Sequence, residues 1–193
     1  MTTALILIDV QRGFDDSAFW GRRNNPEAEA NIRALATTWQ QAGLPIVVVR
    51  HDSAQPGSPL APGTPGNELK PELDGVTPAL LVRKSVHSAF HGDVDLHKWL
   101  HDNGIQDVVT TGIQTNRCVE TTSRVAGDLG YRLRLALDAT FTFDETAPDG
   151  SVITAAEFTR ATAANLHGNF GEVTTTAAVL ATVPAARALP GPR

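Results

Sequence analysis

Short, unbroken apolar runs, spaced along the chain with helical patterns between them, constrain its fold more than any other feature. Ala4-Leu5-Ile6-Leu7-Ile8 is the first run, Pro45-Ile46-Val47-Val48-Val49 the second and Ala79-Leu80-Leu81-Val82 the third. A strand without polar alternation is covered on both faces, as the strands of a parallel sheet are. Asp107–Thr111 reads as a fourth strand, Tyr131–Leu137 as a fifth and Glu172–Thr176 as a sixth.

The segments between them read as helices. Pro26–Ala42 places Ile32, Leu35 and Trp39 on one face and is stopped by Gly43. Asp93–Asn103 places Leu96 and Leu100 together and ends at Gly104. Further helical patterns run from Asn116 to about Leu129, over Ala155–Leu166 and over Ala177–Thr182. Strands alternating with helices predict a three-layer αβα, doubly wound parallel sheet. Right-handed crossovers reduce the choices to an order of 3-2-1-4-5-6 for about six strands. The reading is one domain over residues 1–183, with 184–193 as a flexible tail. His51–Pro78, rich in Pro and Gly, is too long for a plain connection and reads as a functional loop. Asp138–Ser151 also reads as a loop.

Composition narrows the function. A net charge of −5 without a basic cluster argues against nucleic acid. No segment reaches the roughly 20 apolar residues of a membrane span, and the first apolar run is too short for a signal peptide. A single cysteine rules out an internal disulfide. The expectation is a cytoplasmic protein acting on a small molecule.

That cysteine, Cys118, lies in TTGIQTNRCVETTSR, where strand 4 runs through Gly112 into a helix. A thiol in a first helical turn meets unpaired N–H groups and the positive end of the helix dipole, which favour thiolate. The same N–H groups suit an oxyanion. The plain alternative is a small buried hydrophobe. Asp9 follows strand 1 and Lys84 ends strand 3, so the topology brings all three to one edge of the sheet, at its switch point. There Asp9 would take the Cys118 proton and return it to a leaving group, with Lys84 stabilising both anions. No glycine-rich phosphate motif follows a strand. Phe14, Trp20, Phe90 and Gln114 suggest walls for a small, partly flat molecule.

On LILIDVQRGF, RKSVHSAF and TTGIQTNRCVETTSR, with GSPLAPGTPGNELKPEL and ANLHGNFGEVTTTAAVL beside them, the chain resembles the isochorismatase-like cysteine hydrolases. That superfamily includes nicotinamidases, N-carbamoylsarcosine amidohydrolase and isochorismatase. The resemblance places the catalytic aspartate, lysine and cysteine on Asp9, Lys84 and Cys118. It implies a non-proline cis peptide at Ile113–Gln114, turning the Gln114 N–H toward an oxyanion beside that of Cys118. It also implies a homodimer or homotetramer.

Metal-binding nicotinamidases carry an Asp-x-His pair after strand 2. Here that place reads His51-Asp52-Ser53, and no histidine follows until His87, so no metal and no cofactor is expected. His87 stands where many relatives have an aromatic residue; it either contacts substrate or only lines its loop. Arg12, Arg83 and Arg117 leave a dicarboxylate substrate open. Three readings therefore stand: a metal-free amidohydrolase, an isochorismatase-type vinyl-ether hydrolase, and a redox sensor or binding protein built on a reactive thiol. The last lacks a resolving cysteine.

Overall fold

In the computed structural model, which describes residues 2–184, the first apolar run becomes β1 (Thr3–Ile8) at the centre of a parallel sheet. Beside it lie β2 (Ile46–His51) and β4 (Asp107–Ile113), then β3 (Leu80–Lys84), β5 (Arg132–Phe141) and β8 (Gly171–Thr174). The sheet order is β3-β2-β1-β4-β5-β8, so the sixth strand of the sheet is the eighth in the chain. A two-stranded ribbon, β6 (Glu145–Thr146) with β7 (Val152–Ile153), supplies the difference. The tail beyond residue 184 lies outside the described residues.

Alternation along β1 builds the two cores. Leu5 and Leu7 point to one face, where they meet Ile32, Leu35 and Trp39 of α2 (Ala28–Gln41). Ala4, Ile6 and Ile8 point to the other. There they join Leu96 and Leu100 of α3 (Leu96–Asp102) and Ala126 of α4 (Glu120–Asp128). Both layers are mainly apolar at the sheet, as a run without polar alternation requires, and the buried Thr110 hydroxyl of β4 is paired with that of Ser123 in α4. The outer helices are completed by a short α1 (Ser17–Trp20), α5 (Ala155–Leu166) and α6 (Thr176–Leu180).

Strand β5 runs past Leu137, where a loop was expected, as far as Phe141. Its polar residues Asp138 and Thr140 break the apolar run, but other parts of the chain satisfy them. Asn25 Nδ2 donates to the carbonyls of Asp138 and Thr140, and Asn31 Nδ2 donates to Asp138. The Asp138 carboxylate accepts from the backbone and hydroxyl of Thr176. The ladder between β4 and β5 shifts register between Thr110 and Gly112, absorbing the extra residues.

Gly112 fixes the distance between the two central strands. Its φ is +122°, and a Cβ there would stand 2.0 Å from the Ile8 carbonyl oxygen. That approach brings the end of β4 against the end of β1. Gly112→Ala is expected to lose at least about 3 kcal/mol through strain and overlap with backbone. A urea midpoint unchanged from the parent would contradict this.

Candidate active site

The carboxyl edge of the sheet gathers Asp9, His51, Lys84 and the segment after β4. Asp9 has a left-handed φ of 52° immediately after β1, held by its N–H donating to Val49 and its carbonyl accepting from Gln11. Aspartate tolerates this region better than most residues, yet the conformation carries strain. Lys84, at the end of β3, donates from Nζ to Asp9 Oδ2 at 2.6 Å, and both side chains are wholly buried. Such a pair survives burial only with close geometry and further hydrogen bonds. His51 Nδ1, at 3.1 Å from Lys84 Nζ, supplies one. Burial, then the Lys84 charge, push the His51 pKa down, so its neutral ring can accept from the ammonium.

Asp9 Oδ1 is buried and has no hydrogen-bond partner among the described residues. Cys118 Sγ lies within 4.8 Å of the Asp9 carboxylate and of His51. The segment carrying the thiol is a wide helical turn, Thr115–Val119, in which the Gln114 carbonyl accepts from the N–H of both Arg117 and Val119. The regular helix α4 begins only at Glu120. The Ile113–Gln114 peptide is cis, and among the described residues the Gln114 N–H donates to no protein group. The Gln114 side-chain Oε1 is also buried without a partner.

The surroundings of the thiol work against the thiolate. Cys118 is 7% exposed. Burial first, and then the Asp9 charge, push its pKa well above the usual thiol value; Lys84 opposes them but does not win. Burial and the Asp9 charge thus favour the protonated thiol. It sits 3.5 Å from His87 Nδ1.

These groups open onto a cavity of about 110 Å³. Phe14, Trp20 and Leu60 form its apolar wall. The Phe14 and Trp20 rings lie 5.0 Å apart, and Trp20 Nε1 donates to the Gly13 carbonyl. Ser53, Gln55, Ser58 and His87 supply polar edges, and Arg117 stands at the rim. Arg117 is bound to Glu145 through two hydrogen bonds, so its charge is matched locally. Arg12 and Arg83 do not line the cavity.

Of the residues singled out in the sequence, Phe14, Trp20, His87 and Gln114 meet around Asp9 and Cys118. Phe90 does not line the cavity: its ring stacks on Tyr131, at a centroid distance of 6.0 Å, against the apolar core. Ile113 is fully buried and packs with Phe141 and Phe143. His51 and the loop residues Ser53, Gln55, Ser58 and Leu60 were not anticipated. His51 had a readable signal, since it ends β2 on the edge that carries Asp9 and Lys84. The loop had none, because Gln11 orders it from a distance. Gln11 Nε2 donates to the carbonyls of His51 and Asn67, and its Oε1 accepts from the His51 N–H.

The metal set of the nicotinamidases does not fit these residues. The Asp52 carboxylate accepts two hydrogen bonds from Arg50 and one from Asn67, and Ala54 stands two residues on. Asp9, His51 and Cys118 are close enough to share an ion. However, the Lys84 ammonium already holds lone pairs of two of them.

The open parallel sheet gathers a cysteine, a carboxylate and an ammonium at its switch point, groups of the kind a cysteine hydrolase uses. Comparison with known proteins gives the family. The chain belongs to the isochorismatase family: the family model described as Isochorismatase domain matches residues 3–178. The isochorismatase family protein YrdC of Bacillus subtilis is 36% identical over 173 residues, covering 90% of this chain and 91% of its own. Nicotinamidase 3 of Arabidopsis thaliana is 30% identical over 163 residues, covering 78% of each chain. A crystal structure of an isochorismatase-family protein from Chromobacterium violaceum superposes with a TM-score of 0.88 at 38% identity. It covers 94% of this chain and 93% of its own. The protein is a hydrolase.

Proposed function

We propose that the protein hydrolyses a C–N bond of a small amide, ureide or lactam through a covalent intermediate on Cys118, without a metal. The observation that carries this reading is the divided Asp9 carboxylate. One oxygen is held by Lys84, the other is buried and unpartnered, and the carboxylate lies within 4.8 Å of the thiol sulfur. A buried acceptor left free has a cost of about 1–3 kcal/mol, which a substrate complex or a transferring proton can relieve.

As the substrate carbonyl approaches, the thiol proton passes to Asp9 Oδ1 and the S–C bond forms. The oxyanion is received by the Gln114 N–H and the N–H of Cys118. Asp9 then gives its proton to the departing nitrogen as the C–N bond breaks. Water adds to the thioester, losing its proton to Asp9, and the thiol is restored. Lys84 stays charged throughout and holds the carboxylate in place. A proton taken at attack, rather than a standing thiolate, accords with the raised thiol pKa. The small cavity, its aromatic wall and the matched charge of Arg117 favour a neutral, partly flat substrate over a dicarboxylate. The relationship to a nicotinamidase supports amide chemistry.

The test is a panel of amides, ureides and lactams, assayed for release of ammonia or amine by the parent and by Cys118→Ala. Turnover of a panel member that vanishes in the variant is expected; full turnover in the variant would rule out the covalent route. Prolonged treatment with a chelator should leave the parent rate within about twofold, because Lys84 occupies lone pairs of Asp9 and His51 that an ion would need. Loss of activity restored by zinc, manganese or iron would overturn the metal-free part.

A further inference from the structure

We propose that His87 is a second base for Cys118, exchanging the thiol proton with solvent in the free enzyme. The inference rests on the reading of Cys118 as nucleophile and adds a residue to it. The Asp9 and Lys84 side chains have exposures of 0%, although Asp9 borders the cavity. A proton delivered to Asp9 can leave with a departing nitrogen; in the free enzyme an exposed base beside the sulfur hands the thiol proton to solvent directly. His87 has the complementary position. It lies in the exposed loop after β3, lines the cavity, and brings Nδ1 to 3.5 Å from Cys118 Sγ. Among the described residues it is the one exposed titratable side chain within hydrogen-bond distance of the sulfur.

The groups around His87 keep it fit for this task. Partial burial lowers its pKa first; Lys84 from the end of β3 and Arg117 from the turn carrying Cys118 lower it further, and Asp9 opposes them. His51, from the end of β2, is near enough to interact with it as well. A neutral ring protonated on Nε2 leaves the Nδ1 lone pair facing the thiol. The S–H proton moves to Nδ1, leaving thiolate and imidazolium, and the imidazolium loses a proton to water from Nε2. The reverse sequence returns a proton from solvent to sulfur in the free enzyme. Asp9 thus serves the closed complex, and His87 the open one.

Iodoacetamide tests this without a substrate, because the chain has one cysteine. Alkylation forms the S–C bond as C–I breaks and iodide leaves; the thiol proton must go to a base. Rates are read by intact mass for the parent, His87→Gln, His87→Ala and Asp9→Asn across a pH series. Near about pH 7, both His87 variants should react at least about tenfold more slowly, the low end for a lost general base because Asp9 remains. Parent and variants should converge in alkali, where hydroxide takes the proton. Added imidazole should restore His87→Ala and leave Asp9→Asn unchanged. Unchanged rates in both His87 variants would overturn the proposal. So would a loss equal at every pH without imidazole rescue, which marks a merely structural role, or a parent thiol inert throughout. Turnover retained by Cys118→Ala would instead sink the covalent reading and leave the alkylation result standing.

Discussion

Cys118→Ala is expected to lower turnover by on the order of 10⁴-fold or more while leaving the fold intact. In the proposed reaction the thiol makes the bond to carbon; the hydroxyls that also line the cavity, Ser53 and Ser58, lie in the loop after β2. Its removal vacates little volume, so the thermal transition should stay close to the parent's. Asp9→Asn should cost a similar factor for a different reason. Asparagine keeps an acceptor for Lys84 but cannot take the thiol proton or give one to the leaving nitrogen. The two losses should not add: the double variant should be about as slow as either single one, since the groups act as a unit. Steady-state kinetics on a panel substrate, with circular dichroism on the same samples, would decide it. A double variant slower by the product of the single effects would show that Asp9 and Cys118 act independently.

Lys84→Met should do more harm to the fold than any other single change at the site. It leaves the Asp9 carboxylate buried with neither oxygen paired, a situation that costs about 3–5 kcal/mol in buried ion pairs that lose one member. The same variant should react more slowly with iodoacetamide, because Lys84 is the charge that opposes the rise in the Cys118 pKa. Asp9→Asn combined with Lys84→Met removes both charges and should regain at least about half of the lost stability. Urea unfolding of the three variants separates the contributions. A single variant as stable as the parent would mean that the pair is not energetically coupled, and Lys84 would then be read from its effect on the thiol alone. Lys84→Arg should not restore activity, since a planar guanidinium cannot bond Asp9 Oδ2 and His51 Nδ1 as a compact ammonium does.

Local sequence rules reached much of this arrangement because a parallel sheet obeys them closely. Apolar runs mark strands covered on both faces, and crossover handedness then orders them, so Asp9, Lys84 and Cys118 could be placed on one edge from their positions after strands. Where polar side chains interrupt a strand, the same rules fail. β5 continues through Asp138 and Thr140 only because Asn25, Asn31 and Thr176 satisfy those residues across long stretches of chain. Phe90 looked like a pocket wall from its loop and instead joins the core at Tyr131.

The sequence by itself determined the sheet, its order and the edge on which chemistry can occur, since each follows from periodicity, strand ends and handedness. Tertiary structure alone decided the surroundings of the groups on that edge. It set the direction of the Cys118 pKa, because burial and the Asp9 charge oppose Lys84 and push it up. It also brought His51 against Lys84 and His87 against the sulfur, contacts between residues 33 and 31 positions apart in the chain. Solvation and distance in three dimensions set those energies, and neither is encoded in spacing along the chain.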